Sequence, residues 1–95
     1  MSKNIFLTMS LTIRFTPEFV KSYNKLEKDL QSEVKVKIDL FKDVSNHKNL
    51  KVHKLHGRLK TNHSFSINYR YRVIFKYLDK KTIAFVSIGD HDIYK

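Results

Sequence analysis

The stretch YRVIFKYLDKKTIAFVSIGD, residues 71–90, decides the fold. From Tyr71 to Tyr77 a large aromatic or apolar residue stands at every second position, which is the pattern of a strand that buries one face. The polar sequence LDKK (78–81) predicts a hairpin turn. Residues 82–89 are apolar on both faces, as in a central strand. The stretch therefore predicts a hairpin of two strands, of which the second is central in the sheet.

The N-terminal half predicts one strand and two helices. Residues 11–16, LTIRFT, alternate and predict a half-buried strand. Thr16 can cap a helix whose first turn contains Pro17. Two apolar stripes at helical spacing follow, and we expect the break between the helices near residues 29–31. The stripes consist of Phe19, Tyr23, Leu26 and Leu30 in the first helix and of Val34, Ile38 and Phe41 in the second.

These elements and a strand in SFSINYR (64–70) give the order β-α-α-β-β-β in a single domain spanning residues 1–95. The predicted fold class is α+β: a curved, mostly antiparallel sheet with a helical hairpin on one face and the other face open. Met9 is an alternative start, which would make residues 1–8 a flexible extension. Alternation predicts that the open face displays the row Ser64, Ser66, Asn68, Arg70 and Arg72.

The charge distribution indicates a polyanionic partner. The chain contains 19 Lys and Arg against 9 Asp and Glu, a net charge of +10, and no acidic residue stands between Asp43 and Asp79. Such a one-sided field attracts nucleic acid or an acidic protein. The absence of cysteine excludes disulfides and thiolate chemistry and fits a reducing compartment, so we expect a cytoplasmic protein. No apolar run is long enough to predict a membrane span.

Four short motifs, in this order and spacing, resemble the RelE/ParE toxin superfamily, and the C-terminal one is most similar to the RelE and YafQ-like branch. They are TPEF (16–19), HKLHG (53–57), YRVIF (71–75) and SIGDH (87–91), the last followed by a tyrosine near the end of the chain. The resemblance implies a ribosome-dependent endoribonuclease toxin of a type II toxin–antitoxin module. Such toxins cut mRNA without a metal or cofactor, by attack of the RNA's own 2′-hydroxyl, and are silenced by an antitoxin that wraps around them. The implied partners are a cognate acidic antitoxin, the ribosome and mRNA.

The resemblance also implies which residues carry the chemistry. His91 matches the C-terminal residue that supplies an acid or base, and imidazole titrates in the required range. Arg72 matches an essential arginine that stabilises phosphoryl charge, His53 matches a histidine that assists catalysis, and Tyr94 matches a terminal aromatic residue. We expect the RNA backbone to contact Lys51, Lys54, Arg58, Lys60 and Arg70.

One feature departs from the family pattern. Members of the nuclease branch carry a pair of lysines on the second strand, whereas this chain has Ser64, Ser66 and Asn68 there. Two alternatives therefore stay open: a non-catalytic ParE-like toxin that inhibits DNA gyrase, and a basic RNA-binding domain. His53 and His56 have a spacing that metal ligands also use, but imidazoles alone in a loop predict no metal site.

Overall fold

The computed structural model describes residues 10–57 and 61–90. Residues 1–8, an extension if Met9 is the start, lie outside the described part of the chain. Within it, two helices and five strands form, and a 3₁₀ turn follows the second helix at Val44–Asn46. In chain order the elements are β1 (Thr12–Phe15), α1 (Pro17–Asn24), α2 (Lys28–Phe41), β2 (His53–Lys54), β3 (His63–Ser66), β4 (Tyr71–Tyr77) and β5 (Thr82–Asp90).

The five strands form one mixed sheet in the order β1-β5-β4-β3-β2. Strand β1 runs parallel to β5, and all other neighbours are antiparallel. The predicted α+β class and the central position of β5 are confirmed. The predicted order β-α-α-β-β-β lacks the short strand β2, whose two residues form the edge of the sheet beside β3.

The first helix begins where local chemistry favours it, but the break between the two helices was predicted too far along the chain. The Thr16 hydroxyl accepts the Phe19 N–H at 3.1 Å, and Pro17 occupies the first turn, as expected. The first helix ends at Asn24 and the second begins at Lys28, rather than parting near residues 29–31. The second helix begins early because Glu27, extended at ψ 155°, is its N-cap and the helical backbone starts at the next residue.

The core is a cluster of phenylalanines between the helices and one face of the sheet. The rings of Phe41, Phe65, Phe75 and Phe85 are fully buried. Phe41 lies at the centre, with its ring centroid 4.4 Å from that of Phe65, 4.9 Å from that of Phe75 and 5.5 Å from that of Phe85. Because one helical residue contacts rings from three adjacent strands, the helix α2 is fixed against the middle of the sheet.

The other face of the sheet differs from the prediction in two ways. It is not fully open, because Ser64 is 0% exposed and Ile74 only 4% exposed. The predicted row of five polar residues is also shorter, because β3 ends at Ser66. Asn68 lies in the turn that follows, where its side-chain oxygen accepts the backbone N–H groups of Arg70 at 2.9 Å and Tyr71 at 2.8 Å. This Asx-type turn removes Asn68 and Arg70 from the strand.

No helix in the described ranges is both long and apolar enough to cross a membrane.

Candidate active site

Arg72 lies on the second face of the sheet, the face opposite the phenylalanine core. Its guanidinium Nη1 donates a hydrogen bond to the Ser66 hydroxyl, and these two residues are direct cross-strand partners. The Arg72 Nε–H is buried and has no hydrogen-bond partner among the described residues. On the opposite side Arg72 pairs with Gly89, which has no side chain. The guanidinium is therefore held in place at Nη1, while its buried Nε–H makes no hydrogen bond within the described ranges.

His53 lies on the same face as Arg72. It pairs with Ser64, which pairs in turn with Ile74 on β4, and directly paired residues of a sheet share a face. Arg72 lies two strands across from His53 and two residues along β4 from Ile74, the residue aligned with His53. The standard strand spacing and rise then put the Cα atoms of His53 and Arg72 roughly 12 Å apart. At that spacing an exposed imidazole and a guanidinium can contact one ribose–phosphate step from opposite sides.

The imidazole of His53 is tied to the turn that precedes β2. Its Nδ1 lies 3.0 Å from the carbonyl oxygen of Lys51. Lys51 has a left-handed backbone with φ 59°. Its neighbour Leu50 accepts a hydrogen bond from the backbone N–H of Ser66 at 2.8 Å. The turn that holds His53 is therefore bonded to the same residue that holds Arg72.

Arg70 does not join this group, although alternation predicted that it would. It is exposed in the turn between β3 and β4, and its Nε forms a hydrogen-bonded ion pair of 3.0 Å with Asp90. Its guanidinium carbon also lies 5.3 Å from the centre of the Tyr71 ring. The hydrogen bond to Asp90 is the main reason that the pKa of Arg70 is raised. Its contact with RNA stays a prediction.

The other predicted residues divide into exposed and undescribed ones. Lys51 and Lys54 are exposed. Lys54 pairs with His63 and not with Ser64, so it lies on the opposite face from His53. Arg58 and Lys60 lie outside the described residues, and so do His91 and Tyr94. The expected convergence of His91 with Arg72 is therefore a prediction supported by sequence position, since His91 follows Gly89 by two residues.

Two other histidines have structural roles in this fold. His47 stacks on Phe41, with 4.4 Å between the ring centroids, and its Nε2 lies 2.7 Å from the Phe41 carbonyl oxygen. His63 stacks on Phe75 with 5.6 Å between the centroids. Burial lowers the pKa of His63, and the charges of Lys54 and His53 lower it further. Among residues 10–57 and 61–90, no three His, Asp or Glu side chains group as a metal site requires.

Two groups that position the candidate residues, the Ser66 hydroxyl at Arg72 and the Lys51 carbonyl at His53, could not be identified from the sequence. Ser66 was recognised only as a residue standing where the family has lysine, and the carbonyl of Lys51 was assigned no role. The Ser66–Arg72 contact depends on strand register, and the Lys51 contact depends on a backbone conformation that lysine rarely adopts.

Comparison with known proteins identifies one family and a common fold. A family model described as HigB-like toxin, the RelE-like toxin of the type II toxin–antitoxin system HigB, matches residues 13–89. Among solved structures, the RelBE2 toxin–antitoxin complex of Mycobacterium tuberculosis contains a chain with 20% identity and a TM-score of 0.67, covering 86% of this chain and 99% of that one. YafQ from Escherichia coli has 20% identity and a TM-score of 0.66, covering 85% of this chain and 93% of its own.

The RelE–RelB complex of Pyrococcus horikoshii contains a further similar chain, with 18% identity and a TM-score of 0.67 over 90% of this chain and 99% of that chain. At these identities the structural likeness establishes the fold alone, and the family follows from the sequence model. No curated protein sequence matches this chain.

Proposed function

Because this chain belongs to the HigB-like family, the RelE-like toxins of type II toxin–antitoxin systems, we propose that it is a ribosome-dependent endoribonuclease that cuts mRNA. The RelE/ParE resemblance that the sequence motifs indicated is confirmed. The observation that supports the nuclease activity most strongly is the placement of Arg72, whose guanidinium donates to the Ser66 hydroxyl and lies on the same face of the sheet as His53.

The proposed reaction is an internal transesterification at phosphorus. A base removes the proton of the ribose 2′-hydroxyl, the 2′-oxygen bonds to the adjacent phosphorus, and the bond from phosphorus to the 5′-oxygen breaks. An acid then protonates the 5′-oxygen, which leaves a 2′,3′-cyclic phosphate and a 5′-hydroxyl. Charge accumulates on the non-bridging oxygens, so a fixed cationic donor accelerates the step.

We assign the charge stabilisation to Arg72. A guanidinium offers several N–H donors in a planar fork that matches two phosphate oxygens. The Nη1 of Arg72 donates a hydrogen bond to the Ser66 hydroxyl. This bond orients the plane of the guanidinium before the substrate binds. A donor that is already oriented requires no reorganisation in the transition state, and this is where such groups are most effective.

His53 and His91 are the proposed proton-transfer groups. The hydrogen bonding of His53 supports the role of base, because its Nδ1 bonds to a carbonyl and its Nε2 is left to accept a proton. His91 is proposed as the acid from its place in the SIGDH motif. Tyr94 is proposed to stack on a base of the single-stranded mRNA, as aromatic side chains do in RNA recognition.

The electrostatic field of the chain supports a polyanionic substrate and an acidic partner. The acid-free segment between Asp43 and Asp79 contributes two exposed lysines, Lys51 shortly before β2 and Lys54 within it. We propose that a cognate acidic antitoxin neutralises this field. Two of the similar structures are toxin–antitoxin complexes, which supports the antitoxin proposal. The residues proposed to contact the phosphate backbone or ribosomal RNA are Lys51, Lys54, Arg58, Lys60 and Arg70.

Inhibition of DNA gyrase is the competing function, and the serines at positions 64 and 66 favour it, because neither is a strong base. The two functions predict different primary lesions. A nuclease leaves new 5′-hydroxyl ends within translated codons, whereas a gyrase inhibitor leaves mRNA intact and reduces DNA supercoiling.

The deciding experiment is controlled expression in a bacterial host, followed by mapping of mRNA 5′ ends and by measurement of plasmid supercoiling. We expect cuts within codons that disappear when translation initiation is blocked. Arg72→Met and His53→Gln should remove most cuts, whereas the matched controls Arg14→Met and His56→Gln, at positions outside the proposed site, should retain them. Intact mRNA together with relaxed plasmids would refute the nuclease function.

A further inference from the structure

Building on the nuclease function proposed above, we infer that Lys51 is a positioning residue for His53. Its backbone carbonyl holds the imidazole in the tautomer with the proton on Nδ1, so that Nε2 is the proton acceptor. The side chain of Lys51 has no part in this role. The left-handed backbone at residue 51 directs the Lys51 carbonyl toward the His53 imidazole.

The tautomer follows from the identity of the partner atom. The Nδ1 of His53 lies 3.0 Å from the carbonyl oxygen of Lys51. A carbonyl oxygen can only accept a hydrogen bond, so Nδ1 must carry the proton and donate it. In the neutral ring the lone pair is then on Nε2. The exposed position of His53 leaves Nε2 free to meet a ribose hydroxyl.

The conformation of Lys51 results from a helix-terminating motif. The backbone N–H of Lys51 bonds to the Lys48 carbonyl at 3.1 Å, and the N–H of Val52 bonds to the His47 carbonyl at 3.1 Å. These two bonds around a left-handed residue are the pattern of a Schellman motif, which usually places glycine at the left-handed position. Val52 packs against the core, as the residue after the turn commonly does in this motif.

Lysine at this position carries a conformational cost. A left-handed backbone is unfavourable for a residue with a Cβ atom, because the Cβ crowds the following carbonyl oxygen. Lys51 is the one non-glycine residue with a positive φ in the described ranges, at 59°. The turn is held in spite of this cost, because Leu50 is buried and its carbonyl accepts the Ser66 N–H at 2.8 Å. The carbonyl that faces His53 is therefore part of a rigid segment.

This segment also fixes His53 relative to Arg72. Ser66 bonds through its backbone N–H to Leu50 and through its hydroxyl to Arg72. One residue of β3 thus connects the turn that orients the imidazole to the strand that carries the guanidinium. A change of backbone conformation at residue 51 should reorient His53 and leave the Arg72–Ser66 contact unchanged.

The test compares Lys51→Gly with Lys51→Val in the full chain. Both variants remove the ammonium group, but glycine adopts the left-handed conformation freely, whereas a β-branched residue strongly disfavours it. The ¹⁵N chemical shifts of the His53 ring report the tautomer directly. We expect the wild type and Lys51→Gly to show the proton on Nδ1, and Lys51→Val to shift the population toward the proton on Nε2.

Cleavage kinetics supply the second readout. Relative to Lys51→Gly, Lys51→Val should lower kcat about tenfold with little change in KM, because a smaller fraction of His53 has Nε2 as the proton acceptor while the two variants carry the same net charge. A wild-type His53 with the proton on Nε2 overturns the inference, whether or not the valine variant folds. The inference also fails if both variants show the same tautomer and the same kcat. If the tautomers behave as expected but the wild type never cuts RNA, the positioning contact stands and the nuclease function fails.

Discussion

Replacement of Arg72 by methionine should greatly reduce the cleavage rate and change folding stability little. The contacts of Arg72 give an expected size for each effect. Methionine keeps a flexible apolar stem of similar length and removes the guanidinium. A fixed donor that stabilises transition-state charge contributes about 2.7–4 kcal/mol, so we expect kcat to fall roughly 10²- to 10³-fold. KM should change little, because the lysines proposed to contact the RNA backbone are untouched.

The expected effect on folding stability is small because two contributions oppose each other. The substitution removes the hydrogen bond from Nη1 to Ser66, and bonds of charged groups contribute about 1.5–3 kcal/mol. It also removes the buried Nε–H that has no partner among the described residues, and such an unsatisfied donor costs about 1–3 kcal/mol. The free energy of unfolding should therefore stay within about 1 kcal/mol of the wild-type value.

Two assays measure these quantities on the same preparation. Steady-state cleavage of mRNA bound to purified ribosomes gives kcat and KM, and urea unfolding gives stability. Arg14→Met is the control, since Arg14 is an exposed arginine of the edge strand β1. If Arg72→Met unfolds more than about 2 kcal/mol more easily and cuts mRNA at a near-normal rate, Arg72 is a structural residue and the reasoning is wrong.

Three further predictions concern the neighbours of the site and the core. Ser66→Ala should lower kcat about tenfold, because Arg72 loses the bond that orients it; an unchanged rate in single-turnover cleavage would show that the bond is dispensable. Phe41→Ala should cost about 3–5 kcal/mol in urea unfolding, because it empties the centre of the ring cluster. Burial lowers the pKa of His63 in the folded state, so the unfolded chain binds the proton more readily and stability falls as the pH drops below about 6.5. His63→Gln should reduce that loss between pH 7.5 and 5.5 in thermal unfolding scans, and an identical pH profile would contradict the assignment.

Local patterns suffice for some elements of this fold and mislead for others. The strands β4 and β5, the Thr16 cap and the apolar stripe of α2 were predicted because each depends on spacing within a few residues. The row of polar residues beyond Ser66 was predicted wrongly. Alternation continues in the sequence there, but the side chain of Asn68 binds two backbone N–H groups and turns the chain out of the strand.

By itself, the sequence determined the order of the main elements, the basic acid-free segment and the family motifs, because periodicity, charge and motif spacing are properties of neighbouring residues. Tertiary structure decided which of the candidate groups face one another. His53 and Arg72 share a face because β2 and β4 are aligned through β3, and Arg70 is paired with Asp90, 20 positions away. Strand register and a left-handed turn bring these atoms together, and both depend on contacts between segments that are far apart in the chain.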